Sequence, residues 1–127
     1  MVGSRPGGFG PVVDGTYLPH HPFDPTAPAI SRDKPLVVGI NKDEMAFFFF
    51  ERKAIDIFSL TEDALKSRLD KELGSDAEKV LSTYHRSRPG ASPSDLYIAI
   101  TTARAMWLGS LEIAEKKYEQ KSAPVYM

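Results

Sequence analysis

The sequence predicts an α/β fold: a βαβ-type piece of a mostly parallel sheet, with several helices and a Pro/Gly-rich N-terminal arm. Three observations predict this fold: a short apolar run, a helical middle and an apolar C-terminal stretch. A strand, a helical crossover and a second strand form a right-handed βαβ unit when the strands are parallel neighbours. Buried parallel sheets need several strands and helices on both faces, so the pattern describes part of a domain better than a whole one.

Residues 1–34 form the predicted arm. Its stretch RPGGFGPVVDGTYLPHHPFDPTAPA is crowded with proline and glycine and contains the short apolar pair Val12 and Val13. Because proline fixes φ and removes a backbone donor, we expect an irregular arm with at most one brief extended segment. Asp14, in VVDG, is expected to hold a turn through its carboxylate.

Residues 35–127 are predicted to contain a strand, several helices and a second strand. The run PLVVGI, from Pro35 to Ile40, is apolar and rich in β-branched residues; it opens with a proline and is followed by Asn-Lys-Asp. Such a run is typical of a strand that is buried on both faces. Near the C-terminus, APVYM predicts the beginning of the second strand.

The middle of the chain is predicted to be helical. Phe47–Phe50 lead into the first helical stretch, and the capping-box pattern Ser-x-x-Glu occurs at Ser59–Glu62 and again at Ser75–Glu78, with Gly74 as the stop between two helices. The first of these two helices presents leucines at positions 65, 69 and 73.

The longest helix is expected after Pro93. Its apolar residues recur at spacings of three and four along one face, which predicts a strongly amphipathic helix with Trp107 in the core. The residues of this face are Leu96, Ile100, Ala103, Trp107, Leu111, Ala114 and Tyr118. Gly109 is the expected site of a kink, since glycine costs about 1 kcal/mol relative to alanine inside a helix.

Composition narrows the function classes. The chain has 127 residues, the size of one ordinary domain, and its 16 basic and 17 acidic side chains give a formal charge of -1. Such a charge provides no broad field for nucleic acid or anionic lipid, so neither is predicted as a partner. The absence of cysteine excludes disulfides and thiolate sites and fits a reducing compartment. No apolar run approaches the roughly 18 residues of a membrane span, so a cytoplasmic protein is predicted.

Two ordered motifs carry a resemblance to a known family. FGPVVDGTYLPHHP (Phe9–Pro22) and KPLVVGINKDEMAFFF (Lys34–Phe49) resemble the C-terminal half of the type-B carboxylesterases, the α/β-hydrolase family that includes cholinesterases and related lipases. The family pattern is F-x-P-V-x-D-G-x-x-L-P, then a strand ending in G-x-N-x-D-E and an aromatic pair. It is matched by Phe9, Pro11, Val12, Asp14, Gly15, Leu18, Pro19, Gly39, Asn41, Asp43, Glu44, Phe47 and Phe48. The resemblance implies that residues 1–127 are an incomplete α/β-hydrolase domain of the carboxylesterase type.

The resemblance also implies a catalytic role for Glu44. In this family the triad is Ser, Glu and His in chain order, and the Glu is the second acid of the D-E pair. Such an acid accepts a hydrogen bond from histidine Nδ1–H and stabilises the imidazolium that forms as serine attacks an ester carbonyl. Asp43 is expected to serve the turn instead. Met45 stands where the family often has glycine, so the local turn is expected to differ.

The other triad members are missing. No G-x-S-x-G nucleophile motif occurs, and the family's histidine lies beyond the strand that begins at PVYM. His20 and His21 lie in the arm and His85 at a helix end, so none is predicted to replace the triad base. The His20–His21 pair has no third ligand nearby in sequence, and neither a metal nor another cofactor is predicted. The isolated chain is therefore predicted to be inactive on the parent enzyme's substrate, a small carboxylic ester.

Two alternatives stay open. The chain could be a non-catalytic interaction module with an esterase-derived fold, or one piece of a split esterase whose Ser and His arrive on other chains. Phe47–Phe50 are expected to lie in the core or to line an acyl pocket, and in an isolated fragment they would become an exposed apolar patch. Self-association through an exposed sheet edge is expected in the first case.

Overall fold

The protein is mostly helical. A computed structural model describes residues 11–127, and of these 59% are in helices and 3% in strands. The predicted α/β class is therefore wrong: the chain is not a piece of an α/β-hydrolase fold, because helices fill most of the sequence between two very short strands. Phe9 and the other residues before position 11 lie outside the described residues.

The chain divides into two compact units. Of the described residues, one unit contains 11–37 together with Ile113–Met127, and the other contains Val38–Glu112. Strands β1 (Leu36–Val37) and β2 (Val125–Tyr126) belong to the first unit, together with a 3₁₀ turn at Ala29–Ser31.

The sheet of the first unit consists of β1 and β2 in parallel, with Leu36 opposite Val125 and Val37 opposite Tyr126. Both strands occur where the sequence predicted them, but each is only two residues long. The expectation of a strand buried on both faces is wrong, because Val37 is 77% exposed. Alternate residues of a strand point to opposite faces, so only the face carrying Leu36 is partly covered.

Polar contacts organise the arm. Asp14 Oδ1 accepts hydrogen bonds from the backbone N–H groups of Thr16, Tyr17 and Leu18 at 2.9–3.0 Å. This is the turn that the sequence predicted. Further along, the buried ammonium of Lys117 donates to the backbone carbonyls of Ser31 and Arg32, and so closes the 3₁₀ turn of the arm.

The second unit is a helical assembly. Helix α1 spans Glu44–Glu51, α2 spans Glu62–Leu73, α3 spans Ala77–Ser87 and α4 spans Pro93–Thr102. Short 3₁₀ turns lie at Ile55–Ser59 and Gly74–Asp76. A π-helical turn at Ala103–Trp107 follows α4. Helix α5 (Leu108–Glu119) begins in this unit, and its residues from Ile113 onward belong to the first unit.

The helix starts differ from those predicted. Thr61, rather than Ser59, caps α2 by accepting a hydrogen bond from Ala64 N–H at 3.2 Å. Helix α3 begins after Asp76 with no side-chain cap, so neither predicted capping box forms. The stop at Gly74 is confirmed, and its φ of 56° is one that glycine adopts readily.

A capping box forms instead at α4. The Ser92 hydroxyl accepts from Asp95 N–H at 3.1 Å, and the Asp95 carboxylate accepts from Ser92 N–H at 3.2 Å. Pro93 occupies the first turn, where its missing N–H is tolerated. Helix α4 accordingly begins where the sequence predicted the longest helix.

The long helical run is interrupted at Ala103–Trp107, not at Gly109 as predicted. A π turn contains more residues per turn than an α-helix, so it shifts the face on which later residues lie. Trp107 is 41% and Tyr118 69% exposed, so the prediction that they continue the buried face is wrong.

The core of the second unit lies among α2, α3 and α4. Leu65, Leu69, Leu96 and Ile100 are its largest fully buried side chains. All four lie on the apolar faces that the spacing predicted, so local periodicity determined this core. Phe49 of α1 packs against the same cluster and stacks on Tyr97, with ring centroids 5.7 Å apart.

Candidate functional site

The predicted catalytic residue, Glu44, is the first residue of α1. The sequence placed it in a loop, whereas the helix begins directly at this position. An acidic side chain is favourable there because the N-terminal end of a helix carries partial positive charge. Glu44 is partly buried.

Asn41 holds the Glu44 carboxylate. Glu44 Oε2 accepts a hydrogen bond from Asn41 Nδ2 at 2.6 Å and another from the backbone N–H of Asn41 at 3.2 Å. Among the described residues, both hydrogen bonds fall on the same oxygen. Oε1 is therefore left to accept a hydrogen bond from a further group.

The roles of the two adjacent acids differ from those predicted. Asp43 occupies the N-cap position, but its side chain makes no capping hydrogen bond. It is Glu44 that binds a backbone N–H of the preceding turn. Asn41 lies two positions before the N-cap Asp43, so this contact is not a capping box and lies outside the helix.

Helix α1 is capped from another helix. Met45 N–H donates to Thr102 Oγ1 of α4 at 3.1 Å, across 57 positions of sequence. Thr102 is 3% exposed, so the contact is formed inside the second unit. Together with the stacking of Phe49 on Tyr97, it fixes α1, and with it the backbone that carries Glu44, against α4.

Sequence reasoning missed the roles of Asn41 and Thr102. Asn41 could have been found, because it lies only three positions from Glu44 and its amide can reach the carboxylate across a turn. Thr102 could not have been found, since nothing local connects it with α1.

The histidines do not join this site. His85 Nε2 lies 3.0 Å from Glu62 Oε1, so it pairs with α2. His20 Nδ1 lies 3.1 Å from the carbonyl oxygen of His21. Within residues 11–127, no group of three or more acidic, histidine or cysteine side chains is arranged to hold a metal ion.

The four phenylalanines of α1 divide between core and surface. Phe49 packs in the core, whereas Phe47 and Phe50 are 62% and 64% exposed. Phe48 meets Phe47 edge to face, with centroids 5.5 Å apart. The exposed rings of Phe47 and Phe50 therefore lie on the same short helix as Glu44.

Comparison with known proteins adds no relative: neither a protein-family model nor a curated protein sequence matches the chain. The resemblance to type-B carboxylesterases stays a prediction. Over the described part of the chain, no helix combines the length and the apolar character that a membrane crossing requires.

Proposed function

We propose that this chain supplies the acidic member of a Ser-Glu-His triad in a carboxylic ester hydrolase, with Glu44 as that acid. The nucleophilic serine and the histidine would come from outside residues 1–127. The proposal concerns the chemistry of Glu44 and does not include the α/β fold class. The proposal includes a reducing, cytoplasmic location for the chain, because the sequence contains no cysteine.

The observation that carries the proposal is the fixed carboxylate. Asn41 holds Oε2 with two donors, and the Met45–Thr102 hydrogen bond holds the helix start. An acid that orients a histidine must itself be held in place, because catalysis depends on the geometry of the triad. Oε1 would accept the histidine Nδ1–H while histidine Nε2 removes the serine proton.

The test begins with the DNA on either side of this coding sequence. The proposal expects an upstream G-x-S-x-G and a downstream histidine, either in frame or on a neighbouring chain. The reconstituted enzyme is then assayed with an activated aryl ester. Glu44→Gln should lower kcat by roughly 10³–10⁴-fold, because the amide cannot stabilise the imidazolium.

Asp43→Asn is the matched control, since it changes the neighbouring acid, which makes no capping hydrogen bond. It should leave kcat within a few-fold of the wild type. Flanking DNA that lacks the serine motif, or a Glu44→Gln enzyme as active as the Asp43→Asn enzyme, would refute the proposal. The isolated 127-residue chain should show no turnover sensitive to serine inhibitors; such turnover above a Glu44→Ala control would refute it equally.

A second candidate function is that of a non-catalytic interaction module. The exposure of Phe47 and Phe50 favours it, because aromatic side chains are enriched at protein interfaces. Light scattering distinguishes the two candidate functions. A discrete oligomer that Phe47→Ser and Phe50→Ser dissociate supports the module, whereas a monomer insensitive to both changes argues against it.

A further inference from the structure

Residues 23–34 of the arm, here called the strap, lie against the C-terminal end of α5 within the first unit. Side chains at or just beyond this end of the helix donate hydrogen bonds to backbone carbonyl oxygens of the strap. The donors are Lys116, Lys117 and Gln120, and the acceptors are the carbonyls of Phe23, Ala27, Pro28, Ser31 and Arg32. These contacts are made to the strap backbone, so they do not depend on which side chains the strap carries.

The strap buries little apolar surface. Within residues 23–34, Ala27 alone is buried, whereas Ile30 is 91% exposed. Apolar burial is the dominant favourable contribution to folding, and the hydrogen bonds that hold the strap are replaced by hydrogen bonds to water when it is released. Segments with few buried apolar contacts open at a lower free energy than the core. We therefore expect the strap to open while the rest of the chain stays folded.

The hydrogen bonds that hold the strap are linked to one another. Lys117 Nζ, besides donating to two strap carbonyls, donates to Gln120 Oε1 at 2.9 Å. Gln120 Nε2 in turn donates to the carbonyl oxygens of Ala27 and Pro28 at 2.9 and 3.1 Å. Releasing one of these side chains from the strap removes the group that orients the other. The contacts should therefore be lost together.

The closed strap covers an amine. Lys117 is 3% exposed, whereas Lys121, about one turn further along the chain, is exposed. The closed strap also contains a left-handed residue, since the φ of Phe23 is 61°, a conformation that costs free energy in residues other than glycine. Opening allows this strain to relax and brings the Lys117 amine into contact with solvent.

We propose that the strap is a gate, which opens from α5 as one unit and so controls the access of small reactive molecules to the Lys117 amine. The linked, backbone-directed hydrogen bonds and the small apolar burial carry this inference. It does not depend on the proposed esterase role, because Glu44 lies in the second unit.

The first test is native-state amide hydrogen exchange of the 127-residue chain. The backbone N–H groups of Ser31, Arg32 and Lys34 each donate to a carbonyl of the strap. They should share one protection factor, and their exchange should depend only weakly on urea, because opening the strap exposes little surface. The amide of Ile100, in the core of the second unit, should be protected more strongly and should respond steeply to urea.

The second test measures access to the Lys117 amine. N-hydroxysuccinimidyl acetate transfers its acetyl group to a lysine nitrogen, which loses a proton as N-hydroxysuccinimide leaves. Peptide mass spectrometry gives the rate at each lysine. Lys117 should react at least about tenfold more slowly than Lys121 in the same sample, because it reacts only when the strap is open.

A variant connects the two measurements. Gln120→Ala removes both donors to Ala27 and Pro28, so it should raise the exchange rates of the strap amides and the acetylation rate of Lys117 by about tenfold each. Glu119→Ala changes an exposed neighbour and should alter neither rate. An unchanged Ile100 amide in each variant shows that the second unit stays folded.

Four results would overturn the proposal. They are strap amides with unrelated protection factors, strap amides that exchange only when Ile100 does, acetylation of Lys117 as fast as that of Lys121, and equal effects of Gln120→Ala and Glu119→Ala.

Discussion

Replacing Tyr97 with phenylalanine tests the polar network that joins α2 to α4. The Tyr97 hydroxyl donates to Glu72 Oε1, and Arg104 Nη1 donates to Glu72 Oε2 at 2.6 Å. The Tyr97 ring also stacks on Phe49, and the guanidinium of Arg68 lies 5.8 Å from its centroid. Phenylalanine keeps the ring and its contacts, so the substitution removes the hydroxyl alone.

The expected loss of stability follows from the exposure of the partner. A hydrogen bond to a charged group contributes about 1.5–3 kcal/mol when both partners are buried. Tyr97 is 5% exposed, but the Glu72 side chain is 32% exposed and can take a water molecule in place of the hydroxyl. We therefore expect Tyr97→Phe to lower the free energy of unfolding by about 1 kcal/mol at neutral pH.

Alkaline pH gives this prediction a second signature. Burial, followed by the hydrogen bond to Glu72 and its negative charge, raises the pKa of Tyr97 from 10.0 to about 12. As pH rises, the unfolded chain therefore loses the tyrosine proton first. The stabilisation is complete below pH 10 and is lost between pH 10 and about pH 12.

Urea unfolding followed by far-UV circular dichroism, for both proteins over a range of pH, measures these effects. The difference in unfolding free energy should be constant near neutral pH and narrow above pH 10. The two proteins differ only at position 97, so the contributions of all other groups cancel in the comparison. A Tyr97→Phe variant as stable as the wild type at neutral pH, or a difference that widens above pH 10, would refute the reasoning.

Three further predictions concern stability. Lys117→Met should lower the free energy of unfolding by about 2–4 kcal/mol, because Lys117 is 3% exposed and its ammonium donates hydrogen bonds to backbone carbonyls. Lys121→Met should change it little, and urea unfolding measures both. Hydrogen bonds from the hydroxyl and backbone N–H of Ser92 lower the pKa of Asp95, so this carboxylate stabilises the folded chain above about pH 3.8 and the stabilisation is lost at lower pH. In Asp95→Asn, the free energy of unfolding should therefore change less as the pH is lowered. Gly74→Ala should destabilise the chain by about 1 kcal/mol, since φ is 56°, and Gly109→Ala should not, because a Cβ there meets nothing within 4 Å; thermal unfolding of both variants checks this.

Helix locations were predictable because the signals are local. The leucines at positions 65, 69 and 96 and the stop at Gly74 depend on a spacing of three to four residues and on the conformational freedom of glycine. The turn at Asp14 depends on a carboxylate meeting backbone groups two to four positions ahead. Each of these contacts lies within a few residues of the chain.

The fold class was wrong for a physical reason. A short β-branched run has the same pattern in a two-residue strand as in the centre of a large parallel sheet. Only the number of neighbouring strands distinguishes them, and Val37, 77% exposed, lacks the covering layer. The exposure of Trp107 likewise depends on the π turn, which no single residue encodes.

The candidate site divides in the same way. The contact between Asn41 and Glu44 could be predicted from the sequence, since the Asn41-x-x-Glu44 spacing is local. The support of helix α1 could not be predicted, because the Thr102 hydroxyl that caps this helix lies 57 positions away in the sequence. Sequence determined which side chains could bind their near neighbours. The tertiary structure decided which helices meet, because packing brings together groups whose separation along the chain carries no periodic signal.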